Sequence, residues 1–130
     1  MSGTLVTTYS ESRIIQKVNF NWTSNASGDC SGDSKRVSGK ILRATFIPSG
    51  SAVPTDGYTA RINDNDGMDV LMGYGAAGLS ATITRTIIPM VNDAVLGQPS
   101  YPIAVDGLLS LVVAGAGNVR SGVVSLYIER

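Results

Sequence analysis

Residues 14–22 read IIQKVNFNW, and the apolar side chains in the second half of this stretch fall on every other position. Val18, Phe20 and Trp22 share one side of an extended chain, while the polar residues between them take the other side. Side chains of a β-strand alternate with this period of two, whereas a helix repeats after about 3.6 residues. The stretch therefore predicts a strand that has one face in a core and the other in water.

Short turn sequences separate this stretch from others like it. Asp-Gly pairs occur at residues 56–57, 66–67 and 106–107, and glycine in such pairs supplies the positive backbone angles of tight turns. Only residues 90–97, which end at Gly97, indicate a helical turn. The predicted fold class is therefore all-β: a single-domain antiparallel β-sandwich, jelly-roll-like, with hairpin turns and at most one short helical turn.

The pattern also predicts individual strands in two further regions. Residues 37–47 alternate again, and Leu42, Ala44 and Phe46 are assigned to one face of a strand that Pro48 ends. A three-stranded meander is predicted for the C-terminal part, and its strands are residues 101–105, 108–113 and 123–128. The Asp-Gly pair between the first two of these strands is interpreted as a two-residue hairpin turn.

The length of 130 residues is that of one domain, so residues 1–130 are predicted to form a single β-sandwich domain. Residues 1–12 are predicted to form an extended arm, and the polar residues 23–34 a mobile, exposed loop. Cys30, the only cysteine, forms no disulfide within the chain and is interpreted as an incidental thiol of that loop. Neither a signal peptide nor a membrane-spanning stretch is visible, so synthesis in the cytoplasm is expected.

Composition argues against several functional classes. The chain carries 10 Lys and Arg against 10 Asp and Glu, so no net positive field favours nucleic acid or a membrane as a partner. It contains no His, which removes the commonest general base, and no pairing of a base with a nucleophile is visible. We therefore predict that the chain is not an enzyme and has no catalytic residues and no cofactor. Residues 1–43 hold six basic and three acidic residues, which either face an acidic partner or are scattered surface charge.

Residues 73–78 read GYGAAG and match the letters of a dinucleotide-binding loop, with Asp93 further on where a ribose ligand is expected. That motif requires a helix after the glycines. Residues 81–88 are instead rich in β-branched side chains, which favour a strand. The sequence therefore favours a flexible glycine-rich loop.

An acidic segment surrounds the second Asp-Gly pair, and its oxygen-bearing side chains are of the type that binds hard cations. With Gly67 at the invariant glycine of a calcium loop, Ile62 and Gly73 occupy the positions of the first and last ligands. A plain turn explains the same residues, and no metal site is predicted. Whether the turn from Asp64 to Asp69 holds a structural ion stays open.

One apolar run is a candidate partner interface. Val70, Leu71 and Met72 precede Gly73, and Tyr74 follows it. Apolar side chains on a glycine-rich segment are typical of a docking surface. A short core strand is an equal alternative for the same run.

Three stretches together resemble small virion proteins of tailed bacteriophages, in particular capsid decoration or cement proteins with a jelly-roll-like sandwich. They are TLVTTYSESR at residues 4–13, DGMDVLMG at residues 66–73, and the ending from GLLSLVV at residues 107–113 to SGVVSLY at residues 121–127. The resemblance implies a non-enzymatic structural protein on the capsid surface of a virion. Its implied partners are the major capsid protein, whose subunits it bridges, and itself, as a dimer or trimer.

A second function from a different class is a carbohydrate- or receptor-binding β-sandwich module of a phage tail or host surface. Such a module needs aromatic side chains exposed on loops as stacking platforms. The candidates are Trp22, Tyr58, Tyr74 and Tyr101.

Overall fold

The computed structural model describes residues 3–76, 78–91 and 101–130. Its elements in chain order are β1 (Thr4–Glu11), β2 (Ile15–Thr23), β3 (Cys30–Asp33), β4 (Val37–Pro48), β5 (Thr59–Asn63), a 3₁₀ turn (Tyr74–Ala76), β6 (Arg85–Ile87), β7 (Met90–Val91), β8 (Tyr101–Pro102), β9 (Ala104–Gly107), β10 (Ser110–Ala114) and β11 (Ser121–Glu129). The described residues contain no α-helix, and the predicted all-β class is confirmed.

The strands form two main antiparallel sheets. The large sheet has the order β1-β2-β11-β4, and β6 and β9 pair with different parts of β4. The small sheet has the order β3-β10-β5, and β7 pairs with β8 separately. No helix among the described residues has the length and apolar character needed to cross a bilayer.

One apolar core contains side chains from both sheets, as the sandwich prediction requires. The alternation predicted for β2 is confirmed, since Val18, Phe20 and Trp22 are all buried. Ile62 of β5 and Leu111 of β10 contribute to the same core from the small sheet. Burial of each such side chain stabilises the fold by about 1.5–3 kcal/mol, before the entropy of the unfolded chain is counted.

The predicted alternation of β4 is wrong at its first half, where Ile41 instead of Leu42 lies in the core. The cause is an irregularity in the pairing with β11. Tyr127 pairs with Arg43, but the next residue, Ile128, pairs with Ile41, so Leu42 is an extra residue. A bulge of this kind shifts the alternation by one residue, and the partner strand determines where it falls.

The predicted C-terminal meander is also wrong. Strand β9 pairs with β4 in the large sheet, while β10 pairs with β3 and β5 in the small one. The Asp106-Gly107 pair, with a φ of 123° at the glycine, therefore carries the chain from one sheet to the other. Val105 and Leu109, on either side of it, enter the core from different sheets. The Asp-Gly pairs that end at Gly57 and Gly67 do form turns.

The two segments predicted to lie outside the sandwich are part of it. Residues 4–11 of the predicted arm are strand β1, which pairs with β2 along its whole length. Residues 30–33 of the predicted loop are strand β3. Residues 24–29 belong to no strand, in agreement with the loop prediction, but Ser24 and Ser34 are buried. Ser24 Oγ accepts a hydrogen bond from the amide of Arg120 at 2.8 Å, and Ser34 Oγ accepts one from the amide of Leu109 at 3.1 Å.

The predicted helical turn at residues 90–97 lies mostly outside the described residues. Met90 and Val91 form strand β7, and residues 92–100 are not described. The structure therefore places a strand at the beginning of that segment.

Candidate functional site

The predicted interface run is divided between core and surface. Val70 and Leu71 are 0% exposed, whereas Met72 and Tyr74 are 42% and 52% exposed. The Asp69 carboxylate causes this division, because it accepts hydrogen bonds from the amides of residues 71 and 73, both at 3.0 Å, and coils the segment into a turn. Of the four predicted interface residues, only Met72 and Tyr74 are therefore exposed. The alternative of a core strand places Val70 and Leu71 in the core, as observed, but is wrong in its strand geometry, because residues 70–73 form a turn.

The acidic segment before that run is a turn whose carboxylates bind backbone amides. Asp64 Oδ1 accepts hydrogen bonds from the amides of Asp66 at 2.9 Å and Met68 at 3.0 Å. The Asp69 carboxylate likewise accepts hydrogen bonds from the backbone amides of Leu71 and Gly73. No group of three or more Asp, Glu, Cys or His side chains within the described ranges is placed to hold a metal ion. The geometry thus supports the interpretation as a turn.

The glycine-rich segment that begins at Gly73 and resembles a nucleotide-binding loop contains a short 3₁₀ turn at Tyr74–Ala76. Gly75 is buried in it, and a β-carbon at that position would collide with the backbone of Ala60. Strand β6 follows within the described residues, so the segment does not lead into the helix that a phosphate group would require. Residues 77 and 93 lie outside the described residues.

Two of the four predicted aromatic platforms lie in the core. Trp22 and Tyr58 are each 1% exposed, and their rings pack against each other with centroids 5.4 Å apart. Burial raises the pKa of Tyr58 to about 12. Of the other two, Tyr74 is exposed, and the side chain of Tyr101 lies outside the described ones. The carbohydrate-binding alternative thus loses Trp22 and Tyr58.

Cys30 is not the loop thiol that the sequence predicts, because it is the first residue of strand β3. It is 1% exposed, and its Sγ lies 3.4 Å from the backbone carbonyl of Thr4, to which it donates. Burial raises the pKa of the thiol, which keeps it protonated. The residue packs as a small apolar side chain between β1 and β3.

Sequence reasoning missed the outer face of the large sheet, which the register of four neighbouring strands assembles. Its side chains form three rows, each with one residue from β1, β2, β11 and β4 in turn. The apolar row is Val6, Asn21, Val123 and Ile47. The polar row is Thr8, Asn19, Ser125 and Thr45. The cationic row is Ser10, Lys17, Tyr127 and Arg43. None of these twelve residues is acidic.

The apolar row leaves apolar surface in contact with water. Val6 is 55% exposed and Ile47 is 38% exposed. An open groove of about 290 Å³ adjoins this row, lined by Asn21, Trp22, Ile47, Pro48, Ser49, Ser121, Gly122 and Val123. Gly122 keeps the lining close-packed, because a β-carbon there would come within 2.7 Å of Trp22 Cζ2. Its volume lies just below the range of about 300–1,000 Å³ that is usual for small-molecule pockets.

The cationic row places two positive charges around one aromatic ring. The Arg43 guanidinium lies 4.0 Å from the centre of the Tyr127 ring, and the Lys17 ammonium lies 5.2 Å from it. Both cations lower the pKa of Tyr127, Arg43 first, through hydrogen bonding and charge. Aromatic and Arg side chains of this kind are enriched where proteins bind one another.

Comparison with known proteins returned no relative. No protein-family model matches the chain, and neither the curated proteins nor the solved structures contain a match.

Proposed function

We propose that this chain is a non-enzymatic virion structural protein that binds the assembled capsid of a tailed bacteriophage and stabilises it by bridging neighbouring major capsid subunits. The observation that carries the proposal is the outer face of the large sheet. It is four strands wide, and it is supported from below by the core. It presents exposed apolar side chains at one end and Tyr127 with Arg43 at the other, with the polar row between them. Such a rigid face binds another protein without the entropy cost of ordering a loop.

The thermodynamic role of such a protein follows from mass action. A protein that binds the assembled shell but not the free subunit adds its binding free energy to the assembled state. Repeated over many symmetry-related sites, modest contacts add up to a large stabilisation of the shell.

Self-association as a dimer or trimer is part of the same proposal, and strand β1 supports it. Within the described residues β1 pairs with a strand only on its β2 side, which leaves it at the edge of the large sheet. An edge strand of eight residues offers unpaired backbone groups to a strand of a second copy or of a capsid subunit.

The test is co-sedimentation of the purified chain with expanded shells assembled from the major capsid protein of the same phage. We expect saturable binding at a fixed copy number per capsid subunit, and little binding to unassembled subunits. Light scattering of the free chain measures its own oligomeric state. Absence of binding to any shell would contradict the proposal.

Two double variants test whether the outer face is the surface that binds the shell. Val6→Ser with Ile47→Ser removes apolar surface from the apolar row, and we expect weaker shell binding. Ile83→Ser with Ile88→Ser is the matched control, because these two side chains are 64% and 55% exposed and lie outside that row. Equal weakening by both variants would contradict the assignment of the contact to the outer face.

A further inference from the structure

Neither of the cations on either side of Tyr127 forms an ion pair with a carboxylate of the described residues. Arg43 lies 4.0 Å and Lys17 5.2 Å from the centre of the same ring, so their charged groups are at most about 9 Å apart, and like charges repel at this separation. The ion pairs of the described residues use other cations, namely Lys35, Arg36 and Arg130.

The surroundings of the ring reinforce this excess of positive charge. None of the twelve residues in the three rows is acidic, although the chain as a whole is neutral. The next outward carboxylate along β11 belongs to Glu129, two residues beyond Tyr127, and Glu129 pairs in register with Lys40. The positive potential is therefore local to the outer face and is produced by the arrangement of the strands.

Three kinds of occupant are distinguishable by charge. A second copy of the chain placed face to face would oppose cations to cations, without a carboxylate in the three rows to separate them. Nucleic acid requires many phosphate contacts for useful affinity, and two cations on a neutral protein supply few. A protein surface that carries Asp or Glu complements the face, because its carboxylates pair with Arg43 and Lys17 while its apolar atoms cover Val6 and Ile47.

We infer that the outer face of the large sheet docks onto a carboxylate-bearing protein surface, with Arg43 and Lys17 as the charged contacts and Tyr127 as the aromatic contact between them. The inference rests on the proposed function, in which that surface belongs to the assembled major capsid protein. Arg43 binds a carboxylate through two parallel hydrogen bonds, and Lys17 binds a second oxygen or a neighbouring acid as a point charge. The apolar row excludes water from the edge of this contact.

The experiment compares two double variants that change the net charge by the same amount. Lys17→Glu with Arg43→Glu reverses the charge of the cationic row. Arg61→Glu with Arg120→Glu reverses two exposed cations that are outside the three rows and form no ion pair within the described residues. Binding to expanded shells is measured by co-sedimentation, for folded protein whose urea midpoint is measured first.

We expect the cationic-row variant to bind shells at least about tenfold more weakly than the unaltered chain, and the control variant to bind within about twofold of it. We also expect binding of the unaltered chain to weaken as salt rises from about 50 to about 500 mM, which screens exposed charges. If the charge-reversed variant does not fold, Lys17→Gln with Arg43→Gln provides the same comparison without new repulsion. Lys17→Arg, which keeps both charges and leaves the Arg43 guanidinium in place, should retain most of the affinity.

The outcomes separate this inference from the proposed function. If the unaltered chain binds shells and the cationic-row variants bind equally well, the inference is overturned and the proposed function stands. If the control variant loses as much affinity, the effect is one of net charge and the inference is overturned. If the unaltered chain binds no shell, the proposed function fails and the inference fails with it.

Discussion

Residues 70–74 and the outer face of the large sheet both expose apolar side chains, but they are built in different ways. The first is contiguous in the chain, and a turn around Asp69 sends Leu71 into the core and Met72 into water. The outer face takes every second residue from four strands that lie in three separate parts of the sequence, including Val6 of β1 and Ile47 of β4.

The difference concerns what holds each surface in place. Residues 70–74 depend on hydrogen bonds to one carboxylate, so few groups fix the position of Met72. The outer face depends on backbone pairing among four strands and on a core directly beneath them. A sheet face of this kind keeps its shape when a partner binds, which favours it over a turn as a docking surface.

The largest effect is expected from replacing a buried residue of segment 70–74, in comparison with an exposed one. We expect Leu71→Ala to lower the free energy of unfolding by about 2–5 kcal/mol, because it opens a cavity in the core. Met72→Ala, one residue further on and 42% exposed, should change it by less than about 0.5 kcal/mol. Urea denaturation of both variants measures the difference. Similar losses for the two would contradict the division between core and surface.

A second prediction concerns the support beneath the outer face. Gly122→Ala places a β-carbon 2.7 Å from Trp22 Cζ2 and 3.0 Å from the carbonyl oxygen of Ile47, and we expect a loss of about 1–3 kcal/mol. Gly50→Ala is the control, since no atom lies within 4 Å of its added carbon. Urea midpoints for the two variants should differ clearly. Equal midpoints would show that Trp22 moves aside freely.

The third prediction is a dependence of stability on pH that originates below the groove. Burial raises the pKa of Tyr58 from 10.0 to about 12, so the unfolded chain ionises this phenol before the folded one does. The contribution of Tyr58 to stability is therefore complete below pH 10 and is lost as the pH rises from 10 to about 12. Urea denaturation across this range should show a smaller loss for Tyr58→Phe than for the unaltered chain. Parallel curves would contradict the burial of this hydroxyl.

The smallest expected effect is on the outer face itself. We expect Val6→Ala to change the free energy of unfolding by less than about 0.5 kcal/mol, because Val6 is 55% exposed. Val18→Ala on the neighbouring strand removes two buried carbons and should cost about 1.6 kcal/mol. The comparison, again by urea denaturation, measures how little folding depends on the outer face. A loss for Val6→Ala as large as that for Val18→Ala would mean that the apolar row is needed for folding.

The sequence predicts those parts of the fold that depend on local pattern. The alternation of β2 and the turns at Gly57 and Gly67 are such features, because side-chain period and glycine angles act within a few residues. The bulge at Leu42 and the crossing at Gly107 are set by which strand lies alongside, and no local pattern contains that information.

The candidate site was less predictable than the fold. Tyr127, Arg43 and Lys17 each lie on the polar side of a strand, where a single sequence shows only solvent-facing residues. Their proximity follows from the register of β11 with β2 and β4. The buried serines Ser24 and Ser34 were missed for a related reason, since their backbone partners are 75 or more residues away in the chain.

The position of β11 also determines the order in which the large sheet is able to form. This strand follows the other described strands in sequence, yet it lies between β2 and β4 and pairs with both. During synthesis β2 and β4 leave the ribosome before the strand that joins them, so their edges that pair with β11 have no partner until residues 121–129 arrive. Folding of the large sheet is therefore late and dominated by pairings distant in sequence, which makes it slow compared with that of a helical protein of similar size.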